Sequence, residues 1–179
     1  MSLLYNVAQL LKSEVGQTRT FDFAGVEPIS LGDGVATDVH GQVKLTLTNF
    51  GVLARGEADA SLHLTCARCL EPCQTPTHIT FEEEYQPTID VVTGLPSSTP
   101  RNDNAFAVGR SHVIDLTEAL RQNLVLALEM IPLCRPDCRG LCPNCGTNRN
   151  TDPCTCPTPE STSPFAVLDS LLSNTNCQT

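Results

Sequence analysis

Cysteines are the residues in this chain best equipped for chemistry. Ten occur among 179 residues, and six of them fall in CRPDCRGLCPNCGTNRNTDPCTC, from Cys134 to Cys156. The spacing there is C-x3-C-x3-C-x2-C-x8-C-x-C, and another C-x2-C, Cys66 and Cys69, lies upstream in CARC. Eight thiols in close pairs make two sets of four, and four thiolates complete the shell of one tetrahedral structural zinc. The chain opens MSLLYNVAQLLKSE, without a basic n-region, a sustained apolar run or a small-residue cleavage site. Thiols clustered at ligand spacing in such a chain favour metal over disulfides. We therefore expect a cytoplasmic protein that holds two structural Zn2+ ions.

The segment Cys142-Pro143-Asn144-Cys145-Gly146 suits a metal knuckle. Pro143 pre-sets a turn, and Gly146 lets the backbone fold back so that its N–H groups face sulfur. Cys154 and Cys156 share a face if the chain is extended between them. Cys142, Cys145, Cys154 and Cys156 can therefore close one site within a short segment. Cys134 and Cys138 are then left for Cys66 and Cys69. The other grouping joins Cys134, Cys138, Cys142 and Cys145, and gives Cys66 and Cys69 to Cys154 and Cys156. Cys73 and Cys177 fall outside either pairing, and His63, three residues before Cys66, reads as an ordinary strand histidine.

Four sulfurs leave no open position for a substrate or a reactive water, which a catalytic zinc needs. The deaminase pattern of H-x-E followed by P-C-x-x-C is missing, as are G-x-S-x-G, the Walker loop and the dinucleotide fingerprint. Redox use of C-x-x-C expects the motif at a helix N-terminus beside a βαβ unit, a context that neither CARC nor CPNC has. Glu82-Glu83-Glu84 reads as a solvated strand face, with Glu83 opposite the other two. These signs point away from an enzyme and from a small-molecule substrate. A thiol redox switch is the weakest of the functional readings.

The formal net charge is −9, and two filled thiolate cages would take it to about −13. Gripping nucleic acid by bulk charge needs the opposite sign. An RNA contact would have to be local, and Arg68, Arg135, Arg139 and Arg149 gather at the cysteines. They could compensate thiolate charge or form a small phosphate-facing patch. The acidic remainder would suit a basic protein partner. The longest apolar run, LVLALEMIPL, is broken by Glu129 and too short to span a bilayer.

The elements that must position these residues read as α+β. Leu3, Leu4, Val7, Leu10 and Leu11 recur at helical spacing, and Thr18 to Phe23 reads as a first strand. Residues 25–41, with Pro28 and several glycines, read mostly as loop. Alternation then gives an antiparallel meander: Val43 to Leu47, a run from Val52 into Cys66, and a run through Ile79, Phe81 and Tyr85. CARC is its second turn. Residues 86–109 read as a flexible insertion. Asp115-x-x-Glu118 resembles a capping box, opening a long helix with Leu116, Leu120, Leu124 and Leu128 in a stripe to about Glu129, ended by Pro132. Pro164 opens a last short helix with Phe165, Val167, Leu168, Leu171 and Leu172. We expect a body over 1–133 and a cysteine-rich zinc segment over 134–179, its terminal helix docked on the body.

In order along the chain stand C-x-R-C-L, a D-L-x-E helix ending in LALEMIPLC, C-R-G-L-C-P-N-C-G-x-N, C-x-C and PFAVLDSLL. This succession resembles the YceD-like large ribosomal RNA subunit accumulation proteins, well over Cys66 to Leu172 and loosely before that. The resemblance implies support for 23S rRNA accumulation, with 23S rRNA or a large-subunit precursor particle as partner. It also implies an association with a small basic protein of the large subunit. Some members lack the later cysteines, which implies that metal stiffens the fold. The family pattern supplies no catalytic residue.

Overall fold

A computed structural model describes residues 3–97 and 105–156. Three long strands dominate it: β4 (Val35–Leu47), β5 (Val52–Thr65) and β6 (Pro72–Pro87), each antiparallel to the next. Before them come β1 (Leu4–Asn6), α1 (Ala8–Leu11), β2 (Thr18–Phe23) and β3 (Ile29–Ser30). After them come β7 (Phe106–Val108), β8 (Val113–Asp115) and α2 (Thr117–Leu126). The main sheet runs β2-β4-β5-β6-β7, with β3 also on β4, and β1 pairs with β8 in a separate two-stranded sheet.

Alternation decides which face is buried. Val43, Leu45 and Leu47 of β4 and Val52, Ala54, Ala58, Ala60, Leu62 and Leu64 of β5 point into the core, as do Ile79, Phe81 and Tyr85 of β6. Small residues on β5 leave room above them. Gly56 stands opposite Phe81, whose ring occupies the space its side chain would need. α2 packs on β6, burying Leu120 and Leu124, and Asn123 donates to the Glu83 carboxylate at 3.0 Å. Glu83 thus lies on the helix side. Glu82, opposite, pairs with Arg55 on the exposed face. Among the described residues no helix is long and apolar enough to cross a membrane.

Several expectations are corrected. The meander is antiparallel, but the sheet is mixed, because β7 adds to β6 in parallel. Residues 25–41 are not mostly loop: β3 and the first seven residues of β4 lie there. The pairing of β4 with β5 slips between Thr37 and His40, where Asp38 has φ 52°. This bulge puts Ala36 and Val39, three apart, both inside, so a search for period two cannot see the strand.

The N-terminal helix shrinks to four residues, because Leu4–Asn6 pairs with Val113–Asp115 as strand. Asn6 Oδ1 then accepts the Ala8 N–H at 3.0 Å. Leu3, Val7 and Leu10 still reach the core. α2 is ten residues long and stops at Leu126, where its last turn tightens as Ala127 N–H is shared between the Asn123 and Leu124 carbonyls. The capping box is not made. Asp115 Oδ1 accepts the Thr117 N–H, while Glu118 turns to Arg121 and Gln122. Those bonds hold the Glu118 carboxyl down at about 2. Of the expected insertion, residues 86–87 end β6 and 106–108 form β7. The terminal helix over Phe165 to Leu172 and Cys177 lie outside the described residues.

Tyr85 joins three of these parts. Its ring stacks on Phe106 at 5.1 Å, and its hydroxyl donates to the Asp115 carbonyl at the entrance to α2 at 3.0 Å. Burial, with Glu83 and Asp115 nearby, raises its pKa well above the ordinary tyrosine value. Replacing Tyr85 with Phe should lower stability in urea denaturation by about 1 kcal/mol, the worth of one such hydrogen bond. Gly41→Ala should cost more, about 2–3 kcal/mol, since its Cβ would run into the Glu57 backbone carbonyl of β5.

Candidate metal centres

β5 and β6 are joined by Cys66–Glu71, and the turn between them is a tight knuckle. Leu70 N–H donates to the Cys66 carbonyl at 3.0 Å, and Cys66 N–H to the Glu71 carbonyl at 2.9 Å. The second C-x2-C repeats this pattern. Gly146 N–H donates to the Cys142 carbonyl at 2.9 Å, and Cys142 N–H to the Thr147 carbonyl at 2.8 Å. In both, the residue after the second cysteine is left-handed, with φ 61° at Leu70 and 74° at Gly146. That geometry turns the backbone so that both sulfurs of a pair face one point.

The structure brings the sulfurs of Cys66, Cys69, Cys134 and Cys138 within 4.8 Å of one another, and likewise those of Cys142, Cys145, Cys154 and Cys156. The other grouping does not form. In the first set, Cys66 lies 3.8 Å from Cys138 and Cys69 3.6 Å from Cys134. In the second, Cys154 lies 3.5 Å from Cys145 and 3.3 Å from Cys142. A disulfide needs about 2.05 Å. The edge of a sulfur tetrahedron around a metal 2.3 Å away is about 3.8 Å. The spacing therefore fits a shared ion, and all nine described cysteines are unbridged. Each group could hold a metal ion.

Polar hydrogens converge on these sulfurs. The amides of Cys69 and Cys134 bring the Cys66 thiol down to about 6. Thr147, through its hydroxyl and its amide, does the same for Cys145, also to about 6. Burial opposes ionisation of Cys138, yet the Asn150 side chain and the Gly140 amide lower it. The amides of Cys145 and Asn144 lower Cys142. Each ionised sulfur then disfavours the next. Burial, with Cys69 and Cys138 beside it, pushes Cys134 up to about 12. Cys154 and Cys145 push Cys156 to about 12. Without metal, each cage thus carries charge on part of its set, and a cation is needed to hold all four as thiolates.

Both groups are tied to the body and to each other. Ala67 N–H donates to the Pro132 carbonyl at 2.8 Å, and Leu141 N–H to the Arg68 carbonyl at 3.0 Å. Arg68 reaches back to the Cys138 carbonyl at 3.0 Å, and Arg135 donates to Asn150 at 2.8 Å and lies 3.5 Å from Asp137. Arg139 and Arg149 are exposed and line an open pocket of about 560 Å3 with Asp152, Pro153 and Cys154. The four arginines therefore divide into two that brace the cysteine-rich segment and two that project from it. Cys73 packs beside the first group without joining it. His63 Nε2 bonds Thr37 at 2.9 Å.

Sequence reasoning missed Asn150, which braces the first group from the loop between Cys145 and Cys154, and Gly140, whose amide faces the nearby Cys138 sulfur. An asparagine in a polar loop has no periodic signal, and only its distance to sulfur identifies it.

Two outcomes follow. At neutral pH Cys66 and Cys145 are largely ionised while Cys134 and Cys156 hold their protons, so filling each cage should release protons. Metal affinity should rise with pH, and its slope should steepen below about 6, where Cys66 and Cys145 take up protons again. Competition with a chromophoric chelator between pH 5.5 and about 8 measures this. Leu70 is 62% exposed and left-handed, a conformation that costs a non-glycine residue roughly 1–2 kcal/mol. Leu70→Gly should therefore stabilise the metal-loaded chain by about 1 kcal/mol in urea denaturation.

Comparison with known proteins gives these centres a family. The family described as large ribosomal RNA subunit accumulation protein YceD matches residues 54–172, a span that includes all eight clustered cysteines. Uncharacterized proteins of Mycobacterium tuberculosis and Mycobacterium bovis are each 31% identical over 132 residues, 72% of this chain and 59% of theirs. One from Mycobacterium leprae is 35% identical over 107 residues, 57% of this chain and 45% of its own. The chain thus spans about half the length of these relatives. No solved structure matches it. With the family matched over two thirds of its length, across both sulfur groups, the chain belongs to the YceD family of large ribosomal RNA subunit accumulation proteins.

Proposed function

We propose that this chain is a non-enzymatic zinc protein of the cytoplasm that supports accumulation of 23S rRNA and assembly of the large ribosomal subunit. Family membership over residues 54–172 is the observation that carries this reading. Cys66, Cys69, Cys134 and Cys138 would hold one Zn2+, and Cys142, Cys145, Cys154 and Cys156 the other. Zinc bound by four sulfurs supplies rigidity and no reactive water. What the chain's own residues do is hold the 134–156 segment against the body of 1–133 and present Arg139 and Arg149 at its outer side. That pair, and not Arg68 or Arg135, is the part of the surface suited to an RNA phosphate.

A second reading is favoured by the net charge of −9. On it the chain recruits a small basic protein of the large subunit through its acidic surface, with no RNA contact of its own.

Elemental analysis of the purified chain should return two zinc ions per molecule. Sedimentation of cell extract at moderate salt should place the protein with large-subunit precursors. Arg139→Glu combined with Arg149→Glu should release it if RNA is the contact. An adaptor for a basic protein would stay with the particles after that double change. Normal 23S rRNA levels in a strain lacking the gene, together with no co-sedimentation, would end both readings.

A further inference from the structure

Asn150 belongs to the loop between Cys145 and Cys154, within the second sulfur group, yet its side chain serves the first. Its Nδ2 donates to Cys138 Sγ at 3.3 Å and to Asn148 Oδ1 at 2.9 Å. Its Oδ1 accepts the Arg139 N–H and the Arg135 guanidinium, each at 2.8 Å. Those two donors fix the orientation of the amide, since the flipped form would set its NH2 against both. The backbone runs the same way. Arg149, next to Asn150, donates its N–H to the Gly140 carbonyl at 2.9 Å, and Leu141 N–H donates to the Arg68 carbonyl of the first knuckle. Gly140 has φ 68°, and a Cβ there would stand 3.0 Å from that same carbonyl oxygen. The two segments therefore approach closely enough that a side chain at 140, already disfavoured by the left-handed backbone, would press on the Arg68 carbonyl.

We infer that the two metal centres are thermodynamically coupled, and that Asn150 carries the coupling. Its N–H stabilises a metal-bound sulfur of the first centre only when its own loop is fixed, and closing the second centre fixes that loop. Filling either centre then raises the affinity of the other, by the same factor in both directions. Two independent knuckles joined by a linker would show no such effect. The inference rests on reading both sulfur groups as metal sites. Loss of an outer hydrogen-bond partner of a metal ligand typically costs 10–100-fold in affinity, and coupling between sites is typically about 5–150-fold.

Titration of the full metal-free chain with Co2+ tests this, with the sulfur-to-cobalt charge-transfer and tetrahedral d–d bands counting filled centres. Cys154→Ser with Cys156→Ser removes the second centre, and the first should then bind Co2+ about 10–100-fold more weakly. Asn150→Ala retains all eight sulfurs and should still bind two ions, with the same loss confined to the first centre. Asn150→Asp keeps an acceptor at Oδ1 but loses the donor, so it separates loop positioning from the bond to sulfur and should weaken the first centre at least as much. Two cobalt ions bound with first-centre affinity unchanged in both Asn150 variants would overturn the coupling and leave the metal reading intact. Absence of charge-transfer absorption in the unaltered chain would overturn both.

Discussion

The junction between the β5–β6 turn and the chain that follows α2 is the contact on which the rest of the molecule depends. The segment from Pro132 to Cys156 has little apolar material with which to build a core; prolines aside, Leu133 and Leu141 are its only aliphatic side chains. It cannot offset its own ordering entropy by burial. Its order comes instead from sulfur, from backbone bonds to Ala67 and Arg68, and from Asn150. The first sulfur group is half sheet and half tail, so it is complete only when both parts are in place. An ion held there would make metal binding and docking of the segment one event.

The two knuckles show how a local hydrogen-bond pattern serves chemistry irrespective of sequence. CARCLE and CPNCGT share only their cysteines, yet both close with the same pair of backbone bonds and the same left-handed residue. The second uses glycine there, at no steric cost. The first uses leucine, at the end of the long β-hairpin. The charge arrangement follows the same economy. Arg68 and Arg135 hold the segment together, which leaves Arg139 and Arg149 as the outward positive charge of the cysteine-rich segment.

The clustering of the sulfurs was legible in the sequence because closely spaced cysteine pairs show directly in the chain. The grouping of the eight cysteines followed from which four could meet within a short loop. The long strands were legible because Val43 to Leu47 and Ala58 to Leu64 alternate without interruption. What stayed hidden was set by tertiary context. Leu4 to Asn6 has a helical pattern but takes a strand partner 109 residues away, at Val113 to Asp115. The parallel pairing of Phe106 to Val108 is too short to leave a signal. Asp115 could cap a helix box, but Glu118 found a stronger partner in Arg121.

The irregularity at Asp38 makes β4 two strands with opposite phase spliced end to end. Downstream of it the odd-numbered residues face inward; upstream, Ala36 does. Its one surplus residue is thus a gear that lets the Ile29 and Ala36 end of the sheet and the Val43 to Leu47 end share one interior. Chain length between Thr37 and His40 matters there more than chemistry: substitutions that tolerate a left-handed backbone can be absorbed, whereas losing one residue would turn one end of the sheet inside out.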